Sequence, residues 1–147
     1  MFVRERFQIF TILIAKVNRY VHKIKTEEMA EFNLKSTHVS CLYYLYGQRG
    51  LTAKELCEVC DEDKGAISRS IDFLETNGYL TCSSKTLKRY KCPVELTEKG
   101  EEVAKKLVDK IDKILEEASK GLNENDREIF YKSLSLIAGN LGNICEK

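Results

Sequence analysis

The most constraining stretch of this 147-residue chain is residues 51 to 78. Thr52 followed three places on by Glu55 is a capping box, and it opens a short helix, Ala53 to about Cys60, that turns Leu56 and Val59 inward. Asp61-Glu62-Asp63 then forms a polar turn. Asp63 is placed to cap a second helix whose inner residues are Ile67, Ile71 and Leu74, and Gly78 closes that helix as a C-terminal glycine. Two short helices joined by so short a polar turn form a helix-turn-helix, an arrangement whose second helix is built to enter a DNA major groove.

The pattern on either side is helical, with one interruption. Phe7, Phe10, Leu13, Ile14, Val17, Tyr20, Val21 and Ile24 hold helical spacing, and Phe2, Val3, Ile9 and Ile12 add apolar surface off that stripe. A helix apolar on more than one side needs more than one packing partner. A second short helix is expected from Thr26 to near Asn33 and a third over Ser36 to Gln48. After Gly78 the period changes. Tyr79 to Ser83 is β-prone, and Tyr90, Cys92, Val94 and Leu96 alternate with polar neighbours, so a two-stranded hairpin is predicted, with Pro93 on an open edge. Thr97 and Glu98 open a long helix, Gly121 ends it, and a last helix carries Ile129, Phe130, Leu134, Ile137, Leu141 and Ile144. The fold class expected is mainly α with a small β-hairpin, a winged helix-turn-helix flanked by terminal helices.

Leu51-Thr52-Ala53-Lys54-Glu55-Leu56, Ile67-Ser68-Arg69, Ile71-Asp72, Leu74-Glu75, Gly78-Tyr79-Leu80 and Leu96-Thr97-Glu98-Lys99-Gly100, taken in that order and at those spacings, make the chain resemble the MarR (multiple antibiotic resistance regulator) family of bacterial transcription factors. The resemblance covers about Leu34 to Gly100 in motif and the rest in helix layout. It implies one MarR-like unit over 1–147, with residues 1–33 and 101–147 as dimerisation helices and 34–100 as the DNA-binding region. It implies a homodimer on a roughly palindromic double-stranded DNA operator, usually repressing transcription until a small-molecule or redox signal releases it. Surplus apolar residues on the first and last helices agree with a second chain as partner; the competing reading is that they cover their own core.

With Ile67, Ile71 and Leu74 inward, Lys64, Gly65, Ala66, Ser68 and Arg69 are left outward at the start of the second helix. The resemblance assigns DNA contact to Arg69. Ser68 suits a base edge or a phosphate, Ala66 a thymine methyl, and Thr52, Ser36 and Thr37 suit phosphates at helix N-termini. The bland alternative pairs Arg69 with Asp72 or Glu75 and leaves Ser68 merely solvated. In the wing, the family's Asp-x-Arg falls on Lys88 and Tyr90 and is therefore broken; Arg89 lies one residue away, and Lys85, Lys88 and Lys91 add phosphate attraction.

Net charge alone, with 24 Lys and Arg against 23 Asp and Glu, gives no argument for a nucleic-acid partner. The distribution does. Residues 1–25 carry six cations and one acid and 83–91 carry four cations and no acid, whereas 95–128 carry seven cations and eleven acids. No His-Glu-x-x-His, Gly-x-Ser-x-Gly or phosphate-loop pattern is present, so an enzyme is not expected; a winged helix that binds protein instead of DNA is the main alternative. The first apolar run is too short for a membrane span and lacks a cleavage pattern, and the expectation is a cytoplasmic protein with reduced thiols, no membrane partner and no cofactor. Cys57-x-x-Cys60 is half of a zinc pattern that Cys41 or Cys145 would have to complete, and buried packing cysteines are the reading preferred. A hairpin symmetric about Leu87 would set Cys82 opposite Cys92 as a redox pair. A small aromatic effector, if bound, is expected among His38, Tyr43, Tyr44 and Tyr46.

Overall fold

The computed structural model describes residues 2–82 and 91–146. Helix α1 (Val3–Gln8), a π-helical turn (Ile9–Leu13) and α2 (Ile14–Glu28) run into one another without a break in helical backbone angles. The expected second helix is a correction. Thr26 turns its hydroxyl back onto the His22 carbonyl at 3.0 Å and so belongs to the end of α2. After α2 the chain makes one 3-10 turn, Ala30–Phe32, stopped by Asn33 in the left-handed region at φ 55°. Met29 leaves the helix at that point and is 1% exposed, so burial of its side chain takes the place of another helical turn.

Helices α3 (Ser36–Gly47), α4 (Ala53–Cys60) and α5 (Lys64–Thr76) pack around Val39, Leu42, Leu56, Ile67, Ile71 and Leu74, all buried. Each such side chain contributes about 1.5–3 kcal/mol through loss of water contact. The predicted caps are in place. Thr52 Oγ accepts from the Glu55 amide at 3.2 Å while Glu55 Oε1 accepts from the Thr52 amide at 3.2 Å, and Asp63 Oδ1 accepts from the Ala66 amide at 2.7 Å. Between α4 and α5 the chain turns on Asp61 at φ 51°, with the Glu62 amide bonded to the Cys57 carbonyl. At the end of α5, Gly78 (φ 79°) lets the Tyr79 amide reach the Leu74 carbonyl at 2.8 Å and the Gly78 amide reach Glu75 at 3.1 Å, a Schellman closure.

Strands β1 (Leu80–Cys82) and β2 (Val94–Leu96) pair antiparallel, with Leu80 opposite Leu96 and Cys82 opposite Val94. Pro93 lies just ahead of β2, not in an open edge strand: the Val94 amide on that side donates to the Leu51 carbonyl at 2.9 Å. Helix α6 (Glu98–Ala118) begins on Thr97, whose hydroxyl donates to the Gly78 carbonyl at 2.6 Å and accepts from the Gly100 amide at 3.0 Å. Lys99 reaches the Asn77 carbonyl at 2.9 Å and lies 4.4 Å over the Tyr79 ring. The Thr-Glu-Lys-Gly sequence thus ties the start of α6 to the end of α5. Its glycine has a steric cause as well, since a Cβ on Gly100 would lie 1.9 Å from the Tyr79 carbonyl oxygen.

The chain divides into two compact units, Met1–Asp109 and Lys110–Lys147. The second holds the end of α6 and helix α7 (Glu124–Cys145), which starts on Asn123 capping Asp126 after Gly121 turns the chain at φ 96°. Within it Arg127 Nη1 meets Glu116 Oε1 at 3.2 Å. Helix α7 buries none of its residues, and Ile129, Phe130 and Leu141 are about half exposed. The same holds for α1 and α2 in the first unit, which bury no residue. No described helix is long and apolar enough to cross a membrane.

Candidate nucleic-acid interface

Because Ile67, Ile71 and Leu74 hold the inner face of α5 in the core, the helix can present only its other side. On its first two turns that side carries exposed Lys64 and Arg69 and half-buried Gly65, Ala66 and Ser68, as the spacing predicts. Arg69 lies back along the helix toward its N-terminus. A Cβ built on Gly65 would stand 3.1 Å from Arg69 Nη1 and 3.3 Å from Asp63 Oδ1. The glycine therefore leaves the space in which the guanidinium lies, next to the cap of its own helix. An arginine held at a helix N-terminus offers a fork of donors suited to a guanine edge or a phosphate.

Thr52, Ser36 and Thr37 sit at the starts of α4 and α3, all half-buried. The Thr52 hydroxyl donates to Glu55 Oε1 at 3.0 Å, so contact with a phosphate requires exchange of that bond. Of the wing cations, Lys91 is exposed directly before the buried Cys92. Lys85, Lys88 and Arg89 lie outside the described residues.

A cavity of about 580 Å³ adjoins this face. Thr37, His38, Ala66, Arg69 and Phe73 line it, with Lys35 and Asn33 at its side, so the start of α3, the turn before it and α5 enclose it. His38 stacks on Phe73 inside it, and burial, followed by the charge of Lys35, holds the His38 imidazole below its ordinary pKa. Of the four residues expected around an effector only His38 lines this cavity. Tyr43 and Tyr44 meet edge to face at 5.5 Å elsewhere on α3, and Tyr46 is exposed. Phe73, Asn33 and Lys35 carried no signal in the sequence, since a cavity between elements depends on how helices cross and not on local spacing.

The cysteine expectation needs correction. Cys82 faces Val94 across the hairpin, so Cys92 is not directly opposite it but lies diagonally two residues along, near enough for the Cys92 thiol to act on that of Cys82. The reason is core demand: Leu80 and Val94 are both buried, and Val94 is also bound to Leu51, which sets the register from outside the hairpin. Burial first, then hydrogen bonding to Glu75, pushes the Cys82 thiol up to about 11, and such a thiol holds its proton and reacts slowly. All six cysteines are free thiols, and among the described residues no group of three or more His, Cys, Asp or Glu is arranged to hold a metal ion.

Comparison with known proteins agrees with the architecture. The sequence model of the winged helix DNA-binding domain family matches residues 37–115. A protein called an uncharacterized HTH-type transcriptional regulator, YwaE of Bacillus subtilis, is 26% identical over 137 residues, covering 93% of this chain and 80% of its own. A MarR transcriptional regulator from Methanosarcina mazei superposes with a TM-score of 0.73 at 26% identity, over 93% of this chain and 99% of the other. A putative MarR family regulator from Listeria monocytogenes, crystallised with a 26mer DNA, superposes with a TM-score of 0.81 at 22% identity, over 88% and 87%. With more than half its length matched by the family model and its helices and hairpin laid out as in these regulators, the chain belongs to the winged helix DNA-binding domain family and has the MarR-type fold.

Proposed function

We propose that this chain is a transcriptional repressor that binds a palindromic double-stranded DNA operator as a homodimer and is released when a small molecule fills the cavity beside α5. The observation that carries this reading is the placement of Arg69 over Gly65 on the outer face of a helix whose inner face is wholly committed to the core. Lys64, Ala66 and Ser68 flank it as further base or phosphate contacts, Thr52, Ser36 and Thr37 serve as phosphate contacts, and Lys85, Lys88, Arg89 and Lys91 supply the wing. The DNA held by the Listeria relative supports the same partner here.

Residues 1–33 and 101–147 serve dimerisation, and 34–100 read the operator. Exposed Phe7, Phe10, Leu13 and Val17 on one terminal segment and Ile129, Phe130 and Leu141 on the other support a second copy as their cover. Arg69 lines both the outer face and the cavity, so a ligand with a ring to lie beside His38 and Phe73 and an anionic group for Arg69 or Lys35 competes with DNA for the same guanidinium. A protein with this role works where the chromosome is, in the cytoplasm.

Selecting bound fragments from a genomic DNA pool tests the reading. Recovery of a palindrome whose half-sites lie about one helical turn apart, 10–10.5 base pairs, is expected. Failure to enrich any duplex at low salt overturns it.

A further inference from the structure

The Thr97-Glu98-Lys99-Gly100 motif is not among the residues proposed to meet DNA, yet it takes up three successive carbonyls at the end of α5. Lys99 Nζ donates to the Asn77 carbonyl at 2.9 Å, the Thr97 hydroxyl to the Gly78 carbonyl at 2.6 Å, and the Thr97 amide to the Tyr79 carbonyl at 3.1 Å. Carbonyls at the end of a helix lack partners within it, and here the start of α6 supplies them. The approach is close: the Lys99 ammonium lies 4.4 Å over the buried Tyr79 ring, and Gly100 has no Cβ where the Tyr79 carbonyl oxygen stands. A cation at this point also meets the negative end of the α5 dipole.

We propose that Thr97 and Lys99 are positioning residues for DNA reading, and that their grip on the end of α5 fixes the half-site spacing that a homodimer accepts. The inference rests on the operator reading above. Burial of Ile67, Ile71 and Leu74 holds α5 against the core without a preferred direction, whereas hydrogen bonds are directional and fix its angle to α6.

The lever is long. The 13 residues of α5 extend about 20 Å, with Lys64 and Arg69 toward the end away from the clamp. A tilt of about 3° at the clamp carries Lys64 by about 1 Å, where a positioned contact tolerates about 0.5 Å. Helix α6 runs unbroken from Glu98 to Ala118, into the residues proposed for dimerisation. In the proposed dimer the clamp therefore joins each reading helix to a helix that serves the pairing of the copies, and its angle sets how far apart the two reading helices lie.

The test uses duplexes carrying the selected palindrome with its spacer longer or shorter by one base pair, a change of about 35° in the relative facing of the half-sites, titrated with full-length protein. The unmodified chain should bind the selected spacing best and lose about tenfold or more at either altered spacing, the scale of one lost base contact. Lys99 is exposed, so Lys99→Met leaves the Asn77 carbonyl to water and keeps the fold, which circular dichroism checks. That variant should bind the selected duplex about tenfold more weakly yet lose only about threefold or less at the altered spacings, with its salt slope and its base preferences inside the half-site unchanged. Thr97→Val should behave in the same way, and Lys99→Arg and Thr97→Ser, which keep the donors, should restore the profile of the unmodified chain. A Lys99→Met protein whose salt slope falls by about one overturns the proposal, since Lys99 would then be a phosphate contact. An unmodified chain that binds no duplex overturns the operator reading and this inference with it. An unmodified chain that holds one spacing, beside variants that hold the same spacing as strictly, overturns this inference alone.

Discussion

His38 lies flat on Phe73, with ring centroids 4.1 Å apart and planes within 2° of parallel. The Lys35 amide donates to His38 Nδ1 at 3.1 Å, so the ring serves as an acceptor at the start of α3. A protonated imidazole has no acceptor nitrogen. Burial and the Lys35 charge both lower the His38 pKa, which sets the sign of the pH dependence. The unfolded chain binds this proton more readily, so the stability from neutral His38 is complete above the ordinary value of 6.5 and is lost as pH falls from there toward the lowered folded value. The melting temperature should be lower at pH 5 than at pH 7.5, and His38→Gln should flatten that difference. An equal slope in the variant would place the titration elsewhere.

Arg69 and Gly65 make a pair whose effects separate folding from binding. Replacing Arg69 with Ala should weaken operator binding by about 1–3 kcal/mol, the worth of a good bidentate base contact, with stability unchanged. Gly65→Ala gains up to about 1 kcal/mol of helix propensity, offset by crowding of the capping Asp63 Oδ1 at 3.3 Å, while the same methyl would crowd Arg69 Nη1 at 3.1 Å and reduce affinity. Denaturant titration beside a duplex-binding isotherm checks both; a Gly65→Ala protein that binds as well as the parent would show that Arg69 does not need that space.

Gly100→Ala should destabilise the fold by on the order of 2 kcal/mol, because overpacking against fixed backbone cannot be relieved by a rotamer change. The obstacle is the Tyr79 carbonyl oxygen, 1.9 Å from the added carbon. The urea midpoint should fall accordingly.

Charged residues in place of Phe10 and Leu13, which are 43% and 50% exposed, should turn the proposed dimer into monomers, since the proposal covers their apolar surface with a second copy. Analytical ultracentrifugation of the Phe10→Glu, Leu13→Glu protein measures this. Sedimentation of the unmodified chain as a stable monomer at micromolar concentration would defeat the dimer outright.

Arg89→Ala should cost about 1 kcal/mol or more in operator affinity if the arginine enters a minor groove. Each of Lys85, Lys88 and Lys91 should lower the slope of log affinity against log salt by about one when replaced with Ala. Unchanged affinity in Arg89→Ala would take that side chain off the DNA.

Much of the architecture was legible because its signals are local. The Thr52-Glu55 box, the Asp63 cap, Gly78 and Gly121 each act within a few residues, and period alone separates the inward Ile67, Ile71 and Leu74 from the outward Lys64 and Arg69. The short segment after Thr26 misled for the same reason: its residues suit a helix, but the chain leaves α2 at Met29, which is 1% exposed. The order of the elements, the family motif and most of the inward faces were determined by the sequence alone; Val59, expected to turn inward on α4, is 37% exposed. The hairpin register, the stack of His38 on Phe73 and the cavity beside Arg69 were decided by tertiary structure. Each joins residues from different elements, and their separation is set by how whole helices pack and by which distant side chains must share the core, as Val94 shows in binding Leu51 and so setting the register of the hairpin.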